Sequence, residues 1–253
     1  MASEKSTAIV LRVIDFSETS CVVTLFTRDF GKISALAKGA RRPKGPFEAA
    51  LDLLAVCRIV FLHKASDALD LLTEAKLERR FRAGSRSLSR LYAGYYLAEL
   101  LRDLTDEGDP HPELYDAADG ALAALDDDMD AAALVLRFEL TALKVLGHLP
   151  SLADCAACGE PAPPEGRIPF GLPAGGVLCR NCRVGQRQVV SLRREVVETL
   201  RRLAEMENES WSSTQVAHEL LGELRGVMNQ YICNLLGKRP RMHAHLQSPA
   251  SKR

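Results

Sequence analysis

The sequence predicts an α+β protein: a small β barrel, then an α-helical domain interrupted by a zinc knuckle. Three observations carry this expectation. β-Branched and aromatic residues recur at strand spacing through residues 7 to about 76. From about Leu77 the apolar period changes from 2 to 3.6. Four cysteines in two close pairs then stand inside the helical part.

The first strand is T-A-I-V-L-R-V-I-D-F, bounded by the polar S-E-T-S. C-V-V-T-L-F-T follows and ends at the turn R-D-F-G, and K-I-S-A-L-A leads into a basic loop. L-L-A-V-C-R-I-V-F-L-H and L-D-L-L-T-E-A complete a set of five. Five short strands separated by turn signals suit a five-stranded OB-fold barrel. Residues 1–80 are assigned to it.

S-L-S-R-L-Y-A-G-Y-Y-L-A-E-L-L-R-D-L is apolar on more than one face, as a helix buried among others would be. D-E-G-D-P-H-P breaks it. A second helix begins at P-E-L-Y and stops at Asp126, Asp127 and Asp128. A third, A-A-L-V-L-R-F-E-L-T-A-L-K-V-L, ends at Gly147 and Pro150. Residues 81–152 form the first part of the helical domain. The cysteine insert spans 153–184, where Pro161, Pro163, Pro164, Pro169 and Pro173 rule out a long helix. Helices are expected to resume with Ser191 as N-cap. The second helical part is 185–240, with a last helix at about 213–236, and 241–253 is a tail.

Cys155 and Cys158, then Cys179 and Cys182, read C-A-A-C and C-R-N-C with twenty residues between. Each pair brackets a tight turn, so both thiolates can face one ion. Two such knuckles make the closed tetrahedral shell of a structural zinc. Four sulfur ligands leave no coordination position for water or substrate, which argues against zinc catalysis. Disulfides are the alternative, and they need an oxidising compartment. The start M-A-S-E-K-S-T has no secretory pattern, so a reducing, cytoplasmic setting is expected. Cys21, Cys57 and Cys233 are read as small core residues.

Lys plus Arg and Asp plus Glu number 33 each, so whole-chain charge names no partner. Its distribution does. Arg28 to Lys64 holds eight Lys/Arg against three Asp/Glu, net +5, and Arg102 to Asp130 holds eleven Asp/Glu against one Arg, net −10. Segregation of this size suggests a surface built for a polyanion. Its centre is K-G-A-R-R-P-K-G: Lys38, Arg41, Arg42 and Lys44 on a loop kept non-helical by Gly39, Pro43, Gly45 and Pro46. Lys32 extends the patch. Such a loop at a barrel edge suits a nucleic-acid backbone. Most of Phe16, Phe26, Phe30, Phe47 and Phe61 are expected to fill the core, with Phe30 and Phe47 the candidates for base stacking. Tyr92, Tyr95 and Tyr96 have the spacing of a core-facing helix.

No G-x-x-x-x-G-K-[ST] phosphate loop, G-x-G-x-x-G turn or G-x-S-x-G elbow occurs. His218-Glu219 lacks the second histidine of a metalloprotease helix. No catalytic group is assigned. No apolar run reaches the ~18 residues of a membrane span.

T-A-I-V-L-R-V-I-D-F-S-E-T-S, T-R-D-F-G-K-I-S, A-K-G-A-R-R-P-K and F-E-L-T-A-L-K-V-L-G-H-L-P-S-L-A-D-C-A-A-C-G, with the returning F-G-L-P-A-G-G-V-L-C-R-N-C, are similar to the RecO family of bacterial DNA repair and recombination mediators. The resemblance covers roughly residues 5 to 236. It implies an OB-fold, a helical domain and an embedded zinc held by the four cysteines. It also implies binding of single- and double-stranded DNA and annealing of complementary strands without ATP. The implied partners are RecR and the single-stranded DNA-binding protein, in loading the recombinase RecA. Lys38, Arg41, Arg42 and Lys44 take the DNA role as part of a basic surface. Arg180, Arg183, Arg187, Arg193 and Arg194 could add a second. Two other readings are a zinc-ribbon protein–protein adaptor and a metal-dependent nuclease using Asp126, Asp127 and Asp128; a polar loop before a helix explains that triplet more simply.

Overall fold

The computed structural model describes residues 3–42, 47, 50–64, 69–127, 129–163, 165–206 and 211–246. The chain divides into two compact units, Met1–Asp128 and Met129–Arg253.

Five strands open the first unit: β1 (Ser3–Asp15), β2 (Cys21–Thr27), β3 (Gly31–Ala37), β4 (Val56–Leu62) and β5 (Asp70–Arg79). They close into a barrel of order β1-β2-β3-β5-β4, in which β1 also pairs with β4 and only β3–β5 is parallel. That order bears out the OB-fold expectation. Alternation decides what fills the barrel. Ala8 and Val10, Val23 and Leu25, Ile33 and Ala35, Cys57, Ile59 and Phe61, and Leu72 and Ala75 point inward. Cys21 and Cys57 are among these core residues.

The outward-facing Ile9, Leu11 and Phe26 are also buried. Two helices of the same unit, α1 (Leu88–Leu104) and α2 (Pro112–Asp126), cover that side, and Tyr115 of α2 stacks on Phe26 at 6.3 Å between ring centroids. A side chain at Gly94 of α1 would strike Leu54 and Phe81, so glycine permits the close approach. The compact unit thus includes two helices beyond residue 80. Their acidic residues neutralise barrel cations. Arg28 meets Asp116 through two hydrogen bonds of 2.9 Å, Arg79 pairs with Asp119, and Asp126 accepts from the backbone N–H groups of Arg82 and Ala83. Asp116 and Asp119 of the net −10 segment are therefore counter-charges for the barrel of their own unit.

In the second unit α3 (Ala131–Val145), α4 (Arg194–Glu205) and α5 (His218–Leu236) pack on one another. Asp130 caps α3 by accepting from Ala132 and Ala133 N–H groups. Every residue of α3 from Ala133 to Leu143 is buried, including two charged ones. The Arg137 guanidinium lies 4.3 Å from the Trp211 ring centroid and donates to Thr214 Oγ1. Glu139 accepts two 2.8 Å hydrogen bonds from Arg225. Arg225→Ala would remove both of these hydrogen bonds from a buried carboxylate. It is expected to destabilise this unit by about 3–5 kcal/mol in urea unfolding; a loss below about 1 kcal/mol would contradict that role.

His243 is buried against α5, with Nδ1 3.7 Å from Cys233 Sγ. Burial, then the charges of Arg225 and Arg239, depress its pKa to about 4. The unfolded chain takes up that proton near pH ~6.5. Between the two values the unfolded state binds more protons, so stability falls as pH drops. The expected loss approaches about 3 kcal/mol by pH ~4 and should be flattened in His243→Gln. Melting both proteins from pH ~7 to ~4 checks this; parallel curves would refute it.

Three short strands, β6 (Ile168–Gly171), β7 (Gly176–Val177) and β8 (Val189–Leu192), make a sheet of order β7-β6-β8. This corrects the expectation of a helix capped by Ser191. Ser191 lies in β8 opposite Pro169, and α4 begins at Arg194. The β-branched Val189-Val190 pair prefers the sheet. The last helix starts at His218, five residues later than expected, and ends at Gly237 in the left-handed region, φ +63°.

Candidate metal centre and nucleic-acid interface

The Sγ atoms of Cys155, Cys158, Cys179 and Cys182 all lie within 4.8 Å of one another. They are the one such cluster of metal-ligating side chains among the described residues. Their positions follow from two turns. After Cys155, the chain folds back through Gly159, φ +77°, whose N–H donates to the Cys155 carbonyl, while the Cys155 N–H donates to the Glu160 carbonyl. After Cys179, the N–H of Cys182 points at Cys179 Sγ at 3.4 Å, and the N–H of Arg183 donates to the Cys179 carbonyl. Ala156 N–H donates to Val177, and Val177 N–H to Ser151, so backbone bonds hold the knuckles together.

The geometry fits zinc. Four sulfurs at ~2.3 Å from one ion stand about 3.8 Å apart at tetrahedral corners. Cys158 and Cys179 are 3.8 Å apart, and all four are free thiols. The packed thiols shift one another's acidity in opposite directions. Burial raises the Cys155 thiol, but hydrogen bonds from the backbone at Cys179, Ala157 and Cys158 outweigh it and bring it down to about 6. The Cys158 and then the Cys179 thiols push Cys182 up to about 12. Four adjacent thiolates would repel one another, and a divalent cation held among them would supply the compensating charge.

The basic loop begins where β3 ends. Lys38, Arg41 and Arg42 are exposed. Lys44 lies outside the described residues. The Arg41 N–H donates to the Thr19 carbonyl and the Gly39 N–H to Ser20 Oγ. The loop is thereby bolted to the β1–β2 turn. Arg41 pairs with Asp15 at 3.0 Å; among the described residues Lys38 and Arg42 have no carboxylate partner.

Lys32, at the opposite end of β3, is committed elsewhere. Gly31, φ +67°, brings the backbone so close to the Asp109 carbonyl that a Cβ there would clash at 2.1 Å. Lys32 is half-buried beneath that segment, and its Nζ donates to the carbonyls of Arg102, at 2.7 Å, and Thr105. It caps the C-terminus of α1, where a cation suits the helix dipole. Burial lowers its pKa, against the nearby carboxylates Glu107, Asp106 and Asp103.

Most of the five phenylalanines fill the core, as expected, but the two stacking candidates are among them. Phe47 is buried in the barrel, and Phe30 packs edge-on to Phe61 at 5.3 Å. Phe16 is 65% exposed. Sequence reasoning missed it because Phe16 closes a strand rich in β-branched residues; the one available signal was its place between Asp15 and the polar S-E-T-S.

In the second unit Arg193 meets Glu223 at 2.6 Å, and Arg194 donates to the Pro163 carbonyl. Arg180, Arg183 and Arg187 are exposed around the second knuckle.

Comparison with known proteins agrees with this architecture. Residues 1–81 match the family model "Recombination protein O N terminal" and residues 85–244 match "Recombination protein O C terminal". The chain is 44% identical to the DNA repair protein RecO of Rhodopirellula baltica, over 94% of this chain and 97% of that one. It is 34% identical to the RecO of Anaeromyxobacter dehalogenans, over 93% and 92%. It is 31% identical to that of Moorella thermoacetica, over 94% and 88%. With both family models matched in order over most of its length, and relatives at 31–44% identity covered almost end to end, this chain belongs to the RecO family of DNA repair proteins.

Proposed function

We propose that this chain is a non-catalytic DNA-binding mediator that anneals complementary strands without ATP. The observation that carries the reading is the split of charge along β3. Acidic residues of the same unit meet the cations Arg28 and Arg79, and α1 carbonyls take up Lys32. Lys38, Arg41 and Arg42 stand at the other end of β3 on a loop held in place, with Asp15 their one carboxylate among the described residues. Cations in that arrangement bind phosphates without regard to sequence. Arg180, Arg183 and Arg187 supply further cations on the second unit.

Annealing needs no bond-making group. Two strands repel each other; cations that hold both release counterions, and base pairing then selects the partner. Zinc, bound by Cys155, Cys158, Cys179 and Cys182, would close the insert and take no part in chemistry, since all four positions are sulfur. In the cell the reading places the chain in the cytoplasm on the nucleoid. There it would work with RecR on single strands coated by the single-stranded DNA-binding protein to assist RecA loading. No described helix is long and apolar enough to cross a membrane.

The test is affinity for single-stranded and duplex DNA as a function of salt. With three or more phosphate contacts, log affinity should fall linearly with log salt, with a slope of about −2 or steeper. A flat response would favour the zinc-ribbon adaptor.

A further inference from the structure

We infer that Phe16 is a base-stacking residue, and that the cleft it shares with Lys38 and Arg42 distinguishes single-stranded from duplex DNA. The inference rests on the DNA-binding reading above.

Phe16 is the one aromatic side chain among the described residues that stands mainly in solvent. It borders a cleft of about 300 Å³ with Ser17, Thr19, Ser20, Leu36, Lys38, Gly39 and Arg42. The cleft is built, not incidental. Phe16 and Ser17 N–H groups both donate to the Ser20 carbonyl, at 3.0 and 3.1 Å, and the Ser20 N–H donates back to Ser17 Oγ. Ser20 Oγ accepts from Gly39 and the Thr19 carbonyl from Arg41. The aromatic and the cations therefore sit on two turns joined by hydrogen bonds, and their spacing is set before any ligand arrives.

Register extends the site. Ile14 pairs with Val22, Val22 with Leu36, and Leu36 with Leu71. Cross-strand partners share a face, and this face is the outer one, because Cys21, Val23, Ala35, Ala37 and Leu72 fill the core. An apolar row therefore leads from Phe16 across the outer face of the barrel. Further along β3 the same face is taken: Ser34 donates to Glu107, and Lys32 is bound to α1. The open part of the β2–β3 face is the part beside Phe16.

A nucleotide offers what this cleft lacks. A base would lie on the exposed ring and the Leu36 side. Hydroxyls of Ser17 and Thr19 could meet base or sugar edges, and Lys38 and Arg42 would take the flanking phosphates. A duplex keeps its base faces stacked and can offer only phosphates. An acidic, apolar peptide is the competing occupant; cations on the rim of an aromatic platform, on a barrel already read as DNA-binding, favour the nucleotide.

The experiment compares wild type, Phe16→Ala and Phe16→Trp by fluorescence anisotropy on a labelled oligo-dT and on a labelled duplex. Phe16→Ala should weaken single-strand binding about 5- to 150-fold, the worth of one stacked base. Duplex affinity should stay within about 2-fold and the salt slope should not change, because no phosphate contact is lost. Phe16→Trp should restore single-strand affinity. Thermal melting of each variant confirms that an exposed position was changed without unfolding. Equal losses on both DNAs, or no loss on either, would overturn the inference and leave the basic loop's role standing; the second result would point to a peptide as occupant. Failure of wild type to bind either DNA would sink the DNA-binding reading itself, and this inference with it.

Discussion

Removal of the metal, by chelation or by Cys179→Ser, is expected to unfold the cysteine insert and destabilise the second unit. The segment from Asp154 to Arg183 has no helix to hold it. Its own strands, β6 and β7, are four and two residues long, and its prolines withhold backbone donors. Its buried apolar side chains include Ile168, Phe170, Leu172, Val177 and Leu178, and Phe170 packs edge-on to Tyr231 of α5 at 5.9 Å. The loss should therefore reach the helices. Structural zinc sites contribute folding free energy directly, and losing one belongs with the largest single-site effects, on the order of 4 kcal/mol or more. For a chain of this size that lowers the melting temperature by about 10 °C. Solubility should fall with it. DNA affinity measured below the new transition should fall by less than in a variant of the basic loop, because Lys38, Arg41 and Arg42 belong to the other unit and only the cations around the second knuckle are displaced. Full stability in chelator would contradict a structural metal.

Lys38→Glu/Arg42→Glu is the second large effect. Each side chain is exposed, so reversal leaves the fold alone; the melting temperature should move by no more than ~2 °C. Reversal replaces two phosphate contacts by two repulsions. Affinity for single-stranded and duplex DNA should fall on the order of 10- to 100-fold at moderate salt, with the salt slope reduced by about 1.4–1.8. Retained affinity with an unchanged slope would place DNA elsewhere. The double variant avoids Arg41, whose pairing with Asp15 would confuse the result.

The barrel and the metal quartet were legible for different reasons. A barrel strand has one buried face, so the alternation in C-V-V-T-L-F-T and K-I-S-A-L-A is direct. The spacing of Cys155, Cys158, Cys179 and Cys182 is itself the geometry of the site. Three features were not legible. The β6–β8 sheet is made of strands too short for periodicity to register, and Ser191 beside Leu192 looks like a helix start until its pairing with Pro169 is seen. The acidic segment reads as a separate surface, because only the folded chain shows Arg28 reaching Asp116, 88 residues away. Lys32 and Phe16 changed roles for the same reason. Their burial is decided by what covers each end of β3: the loop after α1 at one end, solvent at the other.

The most direct test of the central claim is annealing of two complementary oligonucleotides, each coated beforehand with single-stranded DNA-binding protein, without ATP. Wild type should accelerate duplex formation well above the uncatalysed rate, and Lys38→Glu/Arg42→Glu should abolish most of that acceleration. No acceleration by wild type would contradict the account, and would leave a zinc-stabilised adaptor that works through protein contacts.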